Sequence, residues 1–412
     1  MEVVVIGGGA AGFFGAIACA QAAPQIRVML LEASRTPLTK VRISGGGRCN
    51  VTHACFDPAQ LVQHYPRGGR ALRGAFTRFQ PRDTVAWFGD RHIRLKTEAD
   101  GRMFPISDQS ETIVRGLMEA AQQAGVELRL GVAVQSVERS SQGFRLSLKS
   151  GEGIRGDRLL LATGSNPRGY QLAQSLGHQI EPPVPSLFTF QVPEPSLHEL
   201  AGVAVESAQV TLRVPDHKPL QQSGPLLITH WGLSGPAVLK LSAWGARLLH
   251  DCGYRAQVQI NWLSGQTPET VRQILQQAKE EQARRAIASH CPFELPRRLW
   301  QYLVQRAGIA DDTRWAHLTK QGLHHLVQEL TQGQFELAGK GVFKEEFVTC
   351  GGVRLKEVDF KTMESRRCPG LYFAGEVLDI DGVTGGFNFQ SAWTTGWIAG
   401  RAIAQSLSGD NF

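Results

Sequence analysis

Val3-Val4-Val5-Ile6-Gly7-Gly8-Gly9-Ala10-Ala11-Gly12 opens the chain. An apolar stretch then runs to Gln21, a second β-type run covers Ile26 to Leu31, and Glu32 follows. The order is buried strand, G-x-G-x-x-G turn, helix, strand, and an acid 20 residues beyond the last glycine, the context in which a dinucleotide is bound. Each part has a physical task. Gly7 allows the tight turn, Gly9 admits the backbone to a pyrophosphate, and Gly12 lets helix and strand pack closely. The helix start at Ala10-Ala11 offers unpaired N–H groups and a partial positive charge to the phosphates. Glu32 is placed to accept hydrogen bonds from an adenosine ribose.

Working outward, the 412 residues exceed what one hydrophobic core usually supports, so several domains are expected. The chain is 42% hydrophobic and 20% charged, and no apolar run reaches the ~18 residues of a membrane span. A first strand entered at Glu2 leaves no room for a signal peptide, and seven scattered cysteines show no C-x-x-C, so a cytoplasmic protein with reduced thiols is expected. No metal-ligand spacing occurs, and no metal is expected. The net charge of +7 is spread along the chain, with short pairs such as Arg284-Arg285 and Arg297-Arg298 on helical stretches. Solvated helix faces account for such pairs better than a nucleic-acid track does.

Two more glycine clusters carry chemistry. Ser44-Gly45-Gly46-Gly47-Arg48-Cys49-Asn50 exposes successive backbone N–H groups, a nest suited to an anion or a flat ring, with Arg48 for a phosphate and Asn50 for a heterocycle edge. Gly375-Glu376 follows a strand, and Asp381, Gly385-Gly386-Phe387-Asn388-Phe389 then lead into the last helix. A carboxylate at the strand end suits a ribityl chain, and the helix start suits the electron-rich pyrimidine oxygen of a reduced flavin. Thr163-Gly164 ends another buried strand, shaped for backbone passing close to a nucleotide. Gly151-Glu152-Gly153-Ile154-Arg155-Gly156 also matches G-x-G-x-x-G, but no helix follows it, and it reads as a hairpin turn. Only one genuine fingerprint is present, so the site is read as one for FAD, with NAD(P)H at most a transient co-substrate.

Val3–Glu32, Ser44–Thr52, Ala162-Thr163-Gly164, Thr229–Pro236, Gly351-Gly352-Val353 and Phe373–Ala392 together resemble the bacterial aminoacetone-oxidase-like FAD-binding flavoproteins, a family that also contains flavin reductases of bile-acid intermediates. The resemblance implies an α/β fold: a glutathione-reductase-type Rossmann FAD-binding domain split by an inserted β-barrel-like part and a helical part. The corresponding divisions are 1–186, 187–265, 266–338 and 339–412, the last being the return to the FAD domain. Val134 is a further cofactor residue by the same resemblance. The chain departs from the family at His53, where an Asn is usual, and in the short segment 165–169.

The expected activity is hydride exchange between the flavin and a small organic substrate, with O2 or NAD(P)H as the other partner. A flavoprotein acting on RNA is the alternative, followed by a non-catalytic flavin binder. His230, at a strand end, and Cys49, beside the nest, are the candidate catalytic groups. A redox disulfide with Cys55 is disfavoured, because the spacing is C-x5-C and no second nucleotide domain supplies electrons.

Overall fold

The computed structural model describes residues 1–341 and 348–408. The chain divides into two compact units, Met1–Pro183 with Val348–Phe412, and Val184–Phe347.

The first unit is built on five parallel strands in the order Leu371–Phe373, Arg158–Leu161, Glu2–Ile6, Arg27–Glu32 and Glu127–Leu130. Val3, Val4 and Val5 are wholly buried, as expected of a parallel strand covered on both faces. Two short antiparallel strands, Glu364–Ser365 and Val358–Asp359, extend the edge beside Leu371–Phe373. The helix Ala10–Ala22 is buried continuously from Ala11 to Ala20, because it is apolar all round.

That helix lies against the last one, Phe387–Ser408, through glycine. A Cβ on Gly396 would stand 2.6 Å from the Ala11 carbonyl oxygen, and one on Gly400 would overlap the Gly15 carbonyl. Gly15 in turn leaves room for Leu160 of the central sheet, 2.6 Å from where its own Cβ would be. Beside the crossing, Phe14 packs on Trp393 (centroids 5.1 Å apart) and on Trp87 (4.5 Å).

Two small antiparallel sheets flank this core. One holds Thr52–His53, Arg102–Pro105 and Leu95–Thr97; the other holds Val134–Ser140, Gly143–Leu148 and Gly153–Gly156. The second corrects the hairpin-turn reading of residues 151–156. The turn covers residues 149–152, and Gly153–Gly156 is a strand of its own paired with Gly143–Leu148.

In the second unit seven antiparallel strands follow the order Gly333–Leu337, Ala256–Asn261, Ala204–Arg213, Leu220–Thr229, Gly232–Ser234, Phe190–Gln191 and Gly339–Lys340. The first and last of that order are separated in the chain only by Ala338. Seven strands laid flat would hold their outer members about 29 Å apart, far beyond the reach of one residue. The sheet therefore curls until its two ends meet, and this is the barrel-like part. Helices Pro268–Glu281, Arg297–Arg306 and Lys320–Gln332 follow. They share one continuous core with the sheet, in which Val258, Trp262, Leu275, Trp300 and Leu326 are all buried.

The helix crossing makes two contrasting predictions. Gly400→Val forces a side chain into the Gly15 backbone and is expected to lower stability by about 3 kcal/mol or more, read by thermal or urea unfolding. Gly74→Ala, on an exposed helix position where a Cβ meets nothing within 4 Å, is expected to raise it by roughly 0.5–1 kcal/mol.

Candidate cofactor site

The three glycine clusters and the Ala162–Gly164 turn all converge in the first unit. Gly7, at φ +113°, sits where any Cβ would strike the Ala162 carbonyl, and a Cβ on Gly12 would overlap the Gly7 carbonyl. Around Gly9 a Cβ meets nothing within 4 Å, so the loop is tight beneath and open above. Gly9 caps the first helix with no side-chain bond, and no acid occupies the first turn at Ala10-Ala11. The helix start therefore keeps its N–H groups and positive dipole end for an outside anion.

Glu32 holds the loop from the next strand. Its carboxylate accepts from the N–H of Gly8 (2.6 Å) and of Ser34 (2.7 Å). Two carboxylate oxygens offer about four acceptor sites, so positions remain for ribose hydroxyls. Val132 donates to the Glu32 carbonyl (2.8 Å), which brings the buried Val134 to the neighbourhood of this strand end.

The Ser44–Asn50 segment is a left-handed run: Gly45, Gly46 and Gly47 have φ of +57°, +68° and +84°, and Cys49 has +63°. Ser44 breaks the preceding helix at ψ 151°. A Cβ on Gly46 or Gly47 meets nothing within 4 Å, so this side of the loop is open to close approach by a ligand. The loop is pinned from behind. The Asn50 side-chain oxygen accepts from Gly386 N–H (3.0 Å) and its nitrogen donates to the Thr52 carbonyl (3.1 Å). Trp393 Nε1 donates to the Val51 carbonyl (2.9 Å), and the Thr52 hydroxyl donates to Gln390 (2.6 Å). The signature loop is thereby fastened to the head of the last helix.

Several expected site residues have partners within the protein. Arg48 donates to Glu98 (2.7 Å) and its guanidinium lies 4.0 Å over the Phe104 ring, so its charge is already met. Asp381 is wholly buried in a two-armed ion pair with Arg67. Burial works against the Arg67 charge, but the bond and attraction to Asp381 outweigh it and lift its pKa. Asn388 exchanges two hydrogen bonds with the Gly382 backbone, and Phe389 stacks on Trp393. Phe387 carries the imidazoles of His64 and His53 stacked at 4.2 and 4.7 Å. These side chains are engaged within the protein.

Cys49 is fully buried, and burial pushes its thiol up to about 12. Such burial disfavours the thiolate, and Cys49 packs the loop from within. His230 lies in the second unit, exposed in the turn between Leu220–Thr229 and Gly232–Ser234.

The residues fit a dinucleotide. Beyond the bare glycines, the Thr163 hydroxyl is buried without a hydrogen-bond partner at the turn that packs on Gly7. Glu376 lies 3.8 Å from the Cβ position of Gly164 and takes Lys40 at 2.6 Å. Lys40, Arg67, Tyr65 and Gln390 were not singled out from the sequence. Each acts on a partner more than 300 residues away, and no local pattern marks them.

A Rossmann-type FAD-binding domain interrupted by a barrel-like insertion is the architecture of a flavin-dependent oxidoreductase. The chain belongs to the family described as HI0933-like protein Rossmann domain, whose model matches residues 1–402. It is 32% identical over 418 residues to the ribosomal RNA dihydrouridine synthase of Escherichia coli, covering 99% of both chains. It is 30% identical over 424 residues to the 3-dehydro-bile acid delta(4,6)-reductase of Clostridium scindens, covering 98% of this chain and 99% of that one. Among solved structures, the 3-ketosteroid-delta4-(5alpha)-dehydrogenase of Rhodococcus jostii shares the fold at a TM-score of 0.53 and 15% identity, covering 98% and 97% of the two chains. Among the described residues no helix is long and apolar enough to cross a membrane.

Two variants test the site. Thr163→Val removes a hydroxyl that has no partner in the protein, so the apoprotein should melt no lower, while FAD affinity falls about two- to tenfold in a fluorescence titration. Arg67→Met strips the buried Asp381 of its cation and is expected to cost about 3–5 kcal/mol in denaturant unfolding.

Proposed function

We propose that the protein is an FAD-dependent reductase of a carbon–carbon double bond conjugated to a carbonyl, with NAD(P)H as the transient electron source. One observation carries this reading: the relatives matched over almost the whole chain are named for one kind of chemistry. Dihydrouridine is uridine with its 5,6 double bond reduced, and a Δ4,6 bile-acid reductase acts on double bonds conjugated to a ring ketone. Both substrates are electron-poor alkenes that accept hydride at the carbon remote from the carbonyl and a proton at the adjacent carbon.

FAD, when bound, supplies two-electron hydride exchange at its N5 position. The chain's own residues hold and screen it. The first helix start and the loop at Gly9 receive the pyrophosphate, Glu32 the ribose, and the Gly45–Gly47 nest and the head of the last helix the isoalloxazine end. Lys40 and Glu376 form a polar pair beside Gly164, suited to the ribityl hydroxyls. His230, exposed at the turn before Gly232–Ser234, is assigned the proton delivered to the substrate, because an imidazole is a common general acid–base group. The substrate is either a free small enone, as the Clostridium scindens relative supports, or uridine within RNA, as the Escherichia coli relative supports.

Anaerobic stopped-flow separates the readings. The flavin is expected to bleach with NADPH and to be reoxidised by 4-androstene-3,17-dione or by a ribosomal RNA transcript, whichever is the substrate. Reoxidation by O2 alone, with peroxide and with neither alkene, would overturn the proposal in favour of an oxidase. His230→Gln should slow the alkene half-reaction about 10²-fold and leave flavin reduction unchanged.

A further inference from the structure

The charge that reads as spread along the chain is concentrated in one stretch of the first unit. Residues 67–96 hold seven arginines and one lysine against Asp83 and Asp90, a net of +6 out of +7, so the rest of the chain is nearly neutral. Arg67 is answered by Asp381 and Lys96 by Asp108. Asp83 is spent on the start of the helix Pro81–Gly89, where it accepts from the Gln80 N–H (2.8 Å). Arg70, Arg73, Arg78 and Arg82 are exposed, and among the described residues none of them forms an ion pair. Arg27, Arg42, Arg48, Arg102 and Arg129 of the same unit each meet a carboxylate.

The four arginines are interleaved with aromatic rings. Arg70 and Arg73 lie one turn apart on the helix Gly69–Phe76, away from its buried Leu72, Ala75 and Phe76. Arg78 follows that helix and donates to the Lys361 carbonyl. The adjoining Phe79 stacks on Trp397 (5.2 Å), and the exposed Arg401 lies 5.5 Å over the Trp397 ring. Arg82 lies 5.8 Å over the ring of Phe56, just ahead of the short helix Pro58–Leu61 that packs on Gly69–Phe76. The stretch is also fastened to the cofactor site at its start. Tyr65 donates to the Phe387 carbonyl (2.6 Å) and Arg67 holds Asp381, so the arginine face begins beside the head of the last helix.

We infer that this face binds the phosphate backbone of RNA and holds the strand whose uridine is presented to the flavin, an inference that rests on the RNA branch of the reading above. Three observations favour RNA over another polyanion. The free cations are all arginine, whose planar fork matches phosphate oxygens in pairs and stacks on bases. Rings stand beside the guanidiniums at Phe56 and Trp397, the combination that single-stranded nucleic acid takes. Within residues 67–96 no large apolar side chain is exposed, whereas a membrane-surface helix needs apolar anchors beside its cations. A base taken out of its stack leaves its flanking phosphates on the surface around the site, where this face lies.

The test is fluorescence anisotropy of a labelled ribosomal RNA transcript titrated with the flavin-loaded full chain. Binding with a Kd of about 1 μM or tighter at ~0.1 M salt is expected. The triple variant Arg70→Gln, Arg73→Gln, Arg82→Gln should bind about tenfold more weakly or worse. Its plot of log K against log salt should be shallower by about two to three units, three phosphate contacts having gone. These arginines form no ion pair and glutamine keeps the helix propensity, so the unfolding midpoint and flavin content should stay the same. Arg284→Gln with Arg285→Gln, an exposed pair in the second unit, should leave RNA binding unchanged. Reoxidation of the reduced flavin by 4-androstene-3,17-dione should proceed equally in the triple variant. No binding by the original protein, equal binding by the triple variant, or an equal loss in the Arg284–Arg285 variant would each overturn the inference. Tighter binding to phosphatidylglycerol vesicles than to RNA would overturn it as well. RNA binding that is lost in the triple variant, while neither RNA nor the enone reoxidises the flavin, would uphold the face and overturn the reductase reading instead.

Discussion

The close crossing of the first and last helices of the Rossmann unit is the contact on which the cofactor site depends. Gly15, Gly396 and Gly400 let two backbones meet with no side chain between them. Gly375 adds a similar contact, since a Cβ there would stand 2.7 Å from that of Ala11. The crossing joins the segment that leads into the last helix to the strand–turn–helix that opens the chain, some 380 residues earlier in sequence. A dinucleotide needs donors at its pyrophosphate and at its ring end simultaneously, and this contact sets both on one rigid body.

Around that crossing, polar groups are divided between construction and display. The charged and amide side chains that looked suited to a ligand are largely spent internally: Arg48 on Glu98, Asp381 on Arg67, Asn388 on Gly382, and Asn50 on Thr52 and Gly386. What stays open is the backbone around Gly9 and along Gly46–Gly47, where even a Cβ would meet nothing within 4 Å. Such a division is physically sensible. Fixed backbone dipoles need little reorganisation when an anion or a ring arrives, whereas long side chains lose rotamer freedom. The ion pair of Arg67 with the wholly buried Asp381 ties together two segments 314 residues apart in the chain.

The inserted unit follows a different plan. Its sheet gains closure by bringing the strands on either side of Ala338 to opposite ends of the strand order, and its three long helices bury Trp262, Trp300 and Trp315 against it. Family membership extends through this insertion as well as the Rossmann unit, since the matched region is residues 1–402.

Much of the cofactor fold was legible in the sequence because it rests on local rules. Strand, glycine turn, helix and acid occur within 32 consecutive residues, and positive φ at Gly7 and Gly45–Gly47 is a property of glycine itself. The false fingerprint at 151–156 was rejected on the same local ground, although its second half proved to be a strand of a small sheet. What the sequence left open was pairing at a distance. Whether Arg48 meets a phosphate or Glu98, whether Cys49 is reactive or sealed, and what Asp381 faces are set by segments tens to hundreds of residues away. The amino acids by themselves determined a dinucleotide fingerprint of strand, glycine turn, helix and acid. Tertiary structure decided which side chains were left over for chemistry, because desolvation and ion pairing depend on neighbours that only folding supplies.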